Sequence, residues 1–109
     1  MKIIRNSIIP FKGFKAINLF GILFVRGNAQ ITPRDLNHEE IHSKQMKEML
    51  YIFFYLWYLI EYLVRLVSVW DTYLAYKTIS FEAEAYDNEL DLDYLNKRKH
   101  YAWFRDHLW

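Results

Sequence analysis

All the glycines and prolines of this chain lie in its first third, and this distribution most constrains the fold. They are Pro10, Gly13, Gly21, Gly27 and Pro33. From Arg34 to Trp109 the sequence contains neither residue type. A long stretch without such breakers is typical of helices joined by short connections. We therefore expect an α+β fold that is mainly α-helical, with its β-structure at the N-terminus.

Two apolar segments near the N-terminus predict β-strands. Ile3–Ile9 and Phe14–Val25 are rich in isoleucine, valine and phenylalanine, which favour strands. Pro10-Phe11-Lys12-Gly13 lies between the two segments and is typical of a turn, and Gly27-Asn28 ends the second segment. The sequence thus predicts a β-hairpin or short sheet over residues 1–30.

Residues 32–109 predict three to four helices. At the start of the first helix, Thr32 suits the N-cap, Pro33 the first helical position and Asp35 the first turn. Further helix starts are indicated at Asp71 or Thr72, at Ser80, and at Asp91 or Asp93. We expect Lys97-Arg98-Lys99 to be the solvated end of the last helix, where positive charge suits the helix dipole. The whole chain, 1–109, is interpreted as a single domain.

Composition limits the partners and cofactors that this chain can use. A length of 109 residues is enough for one domain. The net charge is +1, so we expect no nucleic-acid partner. The sequence contains 0 cysteines, which excludes disulfides and thiolate zinc sites. Any bound metal must therefore be held by histidine and carboxylate side chains.

The N-terminus has some features of a secretory signal. The apolar run Ile17–Val25 follows basic residues, but Lys12 and Lys15 interrupt the approach and Arg26 follows directly. We therefore predict no cleaved signal peptide and a cytoplasmic location, with membrane association left open.

The segment MLYIFFYLWYLIEYLVRLVSVW, Met49–Trp70, is long enough to span a bilayer. However, Glu61 and Arg65 lie inside it, where each would cost a few kcal/mol at the membrane centre. They are four residues apart and can pair on one helix face. The uncharged part, Met49–Ile60, is too short to span. We predict a central core helix, with a homo-oligomeric or membrane-surface contact over residues 49–70 as the alternative.

The string DLNHEEIHSK carries a possible metal-binding motif on the first predicted helix. His38 and His42 are four residues apart, so they lie on one helix face and can bind one ion. Together with Glu39 they form the His-Glu-x-x-His pattern of zinc hydrolases. Glu39 is rotated about 100° from His38, so it can flank the ion without binding it. In that position it can act as general base and acid.

A catalytic zinc site of this kind needs a third protein ligand. The best candidate is Glu82, which has small neighbours on a later predicted helix. Glu84 lies about 200° away from Glu82 around that helix, so only one of the two can face the ion. His100 and His107 are further candidates near the C-terminus.

The combination of these motifs resembles the gluzincin clan of metallopeptidases. His38-Glu39-Glu40-Ile41-His42 matches the histidine motif, and Glu82-Ala83-Glu84-Ala85-Tyr86 is similar to the clan's Glu-x-x-Ala-Asp string. The chain also resembles very small gluzincins of about a hundred residues. It further resembles an uncharacterised bacterial family with the pattern Asn-His-Glu-x-Ile-His … Phe-Glu-x-Glu-Ala-Tyr, over the stretch from Asn37 to Tyr86.

This resemblance implies one Zn²⁺ per chain, bound by His38, His42 and Glu82, with Glu39 as general base. It also implies a short sheet before the active-site helix, and an edge strand to which an extended peptide adds. The strand Phe14–Val25 is the candidate for this role, although it can equally serve only to cover the helices.

Two residues depart from the clan's pattern. Glu40 is charged where such peptidases usually have an uncharged residue, and Tyr86 stands where an aspartate backs a zinc-bound histidine. The candidates to replace that aspartate are Asp87, Asn37 or a backbone carbonyl. For the donor that stabilises the oxyanion, the candidates are Tyr76, Tyr86 and His100.

The sequence therefore predicts a small zinc-dependent metallopeptidase acting on peptides or proteins. One alternative is a binding or structural module that keeps the metal site without activity. Another is the catalytic part of a membrane-associated assembly. The aromatic tail Tyr101–Trp109 can dock on the core or block the cleft.

Overall fold

The computed structural model describes residues 1–10 and 14–107. In chain order the strands are β1 (Lys2–Asn6), β2 (Ala16–Leu19) and β3 (Ile22–Arg26). The helices are α1 (Pro33–Glu48), α2 (Ile52–Val69), α3 (Thr72–Lys77), α4 (Ser80–Asn88), α5 (Tyr94–Lys97) and α6 (Ala102–Asp106). The predicted α+β fold with an N-terminal sheet is confirmed. The two last helices are single turns that follow four longer ones.

The sheet has three strands in the order β1-β3-β2. β2 pairs antiparallel with β3, from Ala16 opposite Val25 to Leu19 opposite Ile22. β1 pairs parallel with β3, from Lys2 opposite Ile22 to Asn6 opposite Arg26. β2 is therefore an edge strand.

Of the two predicted alternatives, the short sheet is confirmed, but Ile3–Ile9 and Phe14–Val25 do not pair as one hairpin. The second segment contains two strands, because Phe20 and Gly21 both have positive φ, 54° and 88°. Two such residues form the type I′ turn that joins strands tightly, and glycine adopts this conformation without strain. Of the predicted turn over residues 10–13, Phe11, Lys12 and Gly13 lie outside the described residues.

Helix α1 begins as predicted. The Thr32 hydroxyl accepts from the Asp35 amide at 3.1 Å, and the Asp35 carboxylate accepts from the Thr32 amide at 3.1 Å. This capping box satisfies two backbone donors at the helix start. Lys15 also contacts Asp35 at 2.6 Å, which joins the approach to β2 to the first turn of α1. Asp71 likewise caps α3, by accepting from the Leu74 amide.

The core lies between α1, α2, α4 and α6. Its buried members are Met46, Phe54, Ile79, Phe81 and Trp103. Trp103 packs against Phe81 with ring centroids 4.4 Å apart, so the described part of the C-terminal tail docks on the core. Leu108 and Trp109 lie outside the described residues.

The prediction that Met49–Trp70 is a central core helix is wrong. In α2 only Phe54 and Glu61 are buried, because α2 packs on α1 and α3 along one side while most of its aliphatic residues face outward. With a mean hydropathy of 1.6 over Ile52–Val69, it is long and apolar enough to cross a membrane by length and composition.

The expectation that residues 97–99 form a solvated helix end fails at Arg98. Its side chain is 5% exposed and pairs with Glu48 and Glu84, while Lys97 remains 61% exposed. Two buried carboxylates require a buried cation, and this requirement outweighs solvation of the guanidinium.

Candidate metal centre

Two helices bring the predicted metal ligands together. α1 presents His38 and His42, and α4 presents Glu82 from its first turn. One carboxylate oxygen of Glu82 lies 2.9 Å from His42 Nε2 and 3.2 Å from His38 Nε2, and the two Nε2 atoms are 3.1 Å apart. All three residues are buried. This group could hold a metal ion.

The outer nitrogen of each imidazole contacts an oxygen. His38 Nδ1 lies 2.8 Å from a carboxylate oxygen of Glu89, and His42 Nδ1 lies 2.7 Å from Gln45 Oε1. The Gln45 amide is oriented by its nitrogen, which donates to the Phe81 carbonyl and to Glu84. Because an ionised carboxylate and an amide oxygen can only accept, both Nδ1 atoms carry hydrogen.

This arrangement fits a cation. When both Nδ1 atoms carry hydrogen and the imidazoles are neutral, each Nε2 atom directs a lone pair at the same oxygen of Glu82. The three facing atoms are then all acceptors, and they need a cation between them. Three ligands about 2.0–2.2 Å from a tetrahedral zinc would be roughly 3.3–3.6 Å apart, somewhat more than the observed separations of 2.9, 3.1 and 3.2 Å. The donor set and its spacing therefore suit a zinc-like divalent ion.

Without a metal, a proton takes the cation's place. Burial opposes a charged His42, but the Glu82 carboxylate outweighs it and raises the pKa of His42 to about 9. Burial also opposes an ionised Glu82, yet His42 and His38 hold the pKa of that carboxyl well below its usual range. The same site could thus hold either a proton or a metal ion.

Glu39 lies beside this triad and lines the same cleft. Burial raises the pKa of its carboxyl, while the two histidines oppose the rise. The second oxygen of Glu82 is held by the Tyr58 hydroxyl, which donates to it at 2.8 Å. This contact leaves the first oxygen of Glu82 to face the histidines.

The other candidate ligands lie elsewhere. Glu84 is fully buried but points to the opposite side of α4, where Tyr94 and Arg98 donate to it. His100 is 88% exposed and contacts Glu48. His107 contacts Asp87 at 3.3 Å.

The residues that back the ligands are ones that the sequence reasoning missed. Asn37 donates to three backbone carbonyls at the end of α4 and just after it, and a different residue, Glu89, accepts from His38. Glu89 lies seven residues after Glu82, two turns along the same helix face, and Gln45 lies three residues after His42. Each of these spacings places the two residues on one helix face, so the sequence alone could have indicated both partners.

Tyr86 packs directly against the ligand candidate His38, and Tyr76 in turn contacts Tyr86. The Tyr86 ring packs edge-on against His38 with centroids 4.6 Å apart, and its hydroxyl lies 2.8 Å from that of Tyr76. Glu40, the other departure from the clan's pattern, is 38% exposed and lies 3.8 Å from the N-terminal amine. It is not among the residues that line the cleft.

The triad opens onto a cleft of about 920 Å³. Its walls are mainly aromatic and aliphatic, and within the described part of the chain no lysine or arginine lines it. The contributing residues include Ala16, Ile17, Asn18 and Leu19 of β2, Phe54, Tyr55, Tyr58 and Tyr62 of α2, and Tyr73 and Tyr76 of α3. The free edge of the sheet thus forms one wall.

Asn18 holds that edge against α1, the helix that carries both histidines. Its side-chain amide donates to the Glu39 carbonyl at 2.9 Å and to the Ser43 hydroxyl at 3.1 Å. The Arg26 amide donates to the Lys15 carbonyl across the β2–β3 hairpin at 3.0 Å. Since residues of an antiparallel strand alternate between pointing their backbone N–H and C=O groups towards the partner strand and away from it, those of Ala16 and Asn18 point away from β3. The Tyr55 hydroxyl donates to the Asn18 carbonyl at 3.4 Å.

Together these features define an α+β protein with a buried His₂Glu group on two facing helices. Comparisons with known proteins add no relative: no family model matches the chain, and neither a curated protein nor a solved structure matches it.

Proposed function

We propose that this protein is a zinc-dependent metallopeptidase, in which His38, His42 and Glu82 bind one Zn²⁺ and Glu39 is the general base. The observation that carries the proposal is that the three ligand atoms and Glu39 line one open cleft. A catalytic zinc has three protein ligands and keeps a further position for water or substrate. A cleft at the ligands supplies room for that position.

The choice of zinc rests on the donor set. Two imidazoles and one carboxylate are the ligands of a common class of zinc hydrolases. The hydrogen bonds that the two imidazoles donate to Glu89 and Gln45 fix both ring orientations, as outer partners of zinc-bound histidines do. Calcium and magnesium prefer sites built from oxygen alone.

The chain's own residues have distinct tasks in the reaction. A zinc ion at this site supplies Lewis acidity, which polarises a carbonyl and acidifies water. Glu39 takes the proton from the attacking water and then delivers it to the leaving nitrogen. Partial burial raises the pKa of this carboxyl above its usual range, which makes it a better proton acceptor for the first transfer. Tyr76 in the cleft wall is our candidate donor to the developing oxyanion.

The cleft favours an extended peptide with apolar side chains as substrate. β2 is an edge strand, and the outward backbone groups of Ala16 can pair with an added strand. The aromatic walls suit large apolar side chains, and the acidic Glu39 and Glu82 in the same cleft disfavour anionic ones.

The test separates metal binding from catalysis. Purified protein is assayed for zinc by mass spectrometry and for cleavage of a peptide library rich in aliphatic and aromatic residues. We expect about one zinc per chain, lost in His42→Ala. Glu39→Gln should keep zinc and lose at least about a hundredfold in kcat. Glu40→Gln, on the same helix but outside the cleft, is the matched control and should retain activity.

Each outcome has a definite meaning. Full zinc content in His42→Ala would place the metal elsewhere and overturn the site. A zinc-loaded wild type that cleaves no peptide would overturn the peptidase and favour a metal-binding module.

A further inference from the structure

The surface of α2 carries an unpartnered apolar stripe. Its members are Ile52, Leu56, Leu59, Ile60, Leu63 and Val67, each between 50% and 72% exposed. At about 100° per residue, these six side chains fall within an arc of about 100°. Phe53 and Val64 extend the arc to about 140°, and Trp70, 83% exposed, follows at the end of the helix.

The charged residues of α2 lie on the other side of the helix. Glu61 and Arg65 are about 180° and 220° from Ile52 around the axis. Glu61 is 5% exposed and accepts hydrogen bonds from Ser80 at the start of α4. The outward arc therefore contains only apolar side chains along some 27 Å of helix.

We propose that this stripe inserts into the surface of a lipid bilayer, with α2 lying parallel to the membrane plane. Helices that bind in this way bury one apolar face at the boundary of headgroups and acyl chains. A tryptophan at the end of the stripe suits that boundary, where its amphipathic ring is favoured. This inference is independent of the proposed peptidase activity.

A second copy of the chain is a poorer occupant than lipid. Two paired helices cover a narrow seam on each, which corresponds to positions a and d of a heptad. An arc of about 140° is wider than such a seam, so Phe53 and Val64 at its edge would remain in water. A fluid hydrocarbon phase covers the whole arc.

A spanning orientation is also disfavoured. The opposite face of α2 packs on α1 and α3 and reaches Ser80 through Glu61. A helix that crossed the bilayer would carry these polar elements into the hydrocarbon, where each uncompensated polar group costs several kcal/mol. Lying in the interface buries only the stripe.

The cleft opens beside this stripe. Tyr55 and Tyr62 line the cleft from α2, and Leu59 is only about 40° from Tyr55 around the axis. Membrane binding through the stripe therefore places the cleft close to the bilayer surface.

The test uses the full chain and vesicles of pure phosphatidylcholine in a flotation assay. We expect the protein to float with the vesicles. Because the net charge is only +1, binding should be nearly equal at about 0.1 M and about 1 M NaCl. The double variant Leu56→Glu/Leu63→Glu should lose at least about a hundredfold in partition coefficient. Leu90→Glu/Leu92→Glu is the matched control, since both leucines are exposed and lie outside α2 in the chain, and should bind as the wild type does.

The orientation of α2 in the membrane is measured with fluorophores on single introduced cysteines. The chain has 0 cysteines of its own, so each label has a unique position. A fluorophore on Ile52→Cys, Ile60→Cys or Val67→Cys should be quenched equally by shallow nitroxide lipids. A middle label deeper than both ends would indicate a spanning helix and overturn the proposal. A wild type that stays in solution, as a monomer or as a dimer that the α2 double variant dissociates, would overturn it as well.

Discussion

His42 illustrates how single hydrogen bonds define the metal centre. Its Nδ1 is committed to Gln45, so Nε2 faces Glu82 with a lone pair in the neutral state or a proton in the charged state. Glu82 raises the pKa of His42 to about 9 against the effect of burial. At neutral pH the metal-free site therefore holds a proton that a metal must displace.

This competition predicts that zinc affinity depends on pH. Below about pH 9, the apparent Kd for zinc should fall roughly tenfold for each unit rise in pH, because one proton leaves His42 on binding. Calorimetry at pH 7 in buffers of different ionisation enthalpy should show about one proton released per zinc. His107→Ala, outside the site, should release the same number. A Kd that stays constant between pH 7 and 9 would contradict the assignment of the proton to His42.

Glu89 provides a second test at single-residue scale. Its carboxylate accepts from His38 Nδ1 at 2.8 Å, so Glu89→Ala should weaken zinc binding by about 10- to 100-fold. Glu89→Gln keeps an accepting oxygen and should restore most of the affinity. Competition with a fluorescent chelator measures both values. Equal loss in the two variants would show that charge, rather than the hydrogen bond, matters here.

At the scale of secondary-structure elements, the start of α4 depends on a side chain from a neighbouring helix. The residue before it, Ile79, offers no side-chain cap. The Glu61 carboxylate of α2 serves instead, by accepting from the Ser80 amide and hydroxyl at 2.6 Å each. Since Glu82 follows two residues later, this contact also sets the position of the third ligand.

Replacing Glu61 should therefore affect both stability and metal binding. Glu61→Ala leaves two buried donors of Ser80 without a partner, which should lower the free energy of unfolding by about 1–3 kcal/mol. The variant should also bind zinc more weakly, because the first turn of α4 loosens. Urea denaturation and zinc titration measure the two effects. Ser68→Ala, on the exposed side of α2, is the control and should change neither value. Unchanged zinc affinity in Glu61→Ala would show that the Glu61–Ser80 contact does not set the position of Glu82.

The same elements show what sequence reasoning can reach. The capping box at Thr32 and the four-residue spacing of His38 and His42 are local, so the start of α1 and its metal-binding face were predictable. The burial of Arg98 was not, because it depends on Glu48, fifty residues earlier in the chain. The exposure of α2 likewise depends on what packs against it, which an apolar run in the sequence does not specify. The split of Phe14–Val25 was signalled by Gly21.

At the scale of the whole molecule, buried charges connect distant parts of the chain. Arg98 donates to Glu48 at the end of α1 and to Glu84 in α4. Because the carboxylates are 3% and 0% exposed, solvent cannot replace the guanidinium. The arginine thus fastens the C-terminal segment to the two helices that carry the metal ligands.

Removing this arginine should be strongly destabilising. Arg98→Met leaves two buried carboxylates without their cation, and we expect a loss of about 3–5 kcal/mol in the free energy of unfolding. Lys97→Met is the matched control: its ammonium pairs with Asp91 but is 61% exposed, so its loss should leave the free energy of unfolding nearly unchanged. Urea denaturation followed by circular dichroism provides the comparison. Similar values for the two variants would mean that water reaches the carboxylates.

The metal ligands make the second long-range connection, and its strength should depend on pH. The pKa of His42 is raised from 6.5 to about 9 on folding. The ion pair with Glu82 therefore stabilises the metal-free fold fully between about pH 4.5 and pH 6.5, and this contribution is lost as the pH rises towards 9. Zinc gains affinity over the same range, since His42 is then deprotonated. The difference in Tm between zinc-loaded and EDTA-treated protein should consequently widen from pH 6.5 to 9.

At zinc concentrations about a thousand times the Kd, binding should add about 4 kcal/mol. For a domain of this size that corresponds to a rise in Tm of roughly 15–30 °C. The control is His42→Ala, whose Tm should respond to neither zinc nor EDTA. A wild-type Tm that is indifferent to EDTA at pH 9 would mean that no metal bridges α1 and α4. The proton on His42 would then be the only cation that the site holds.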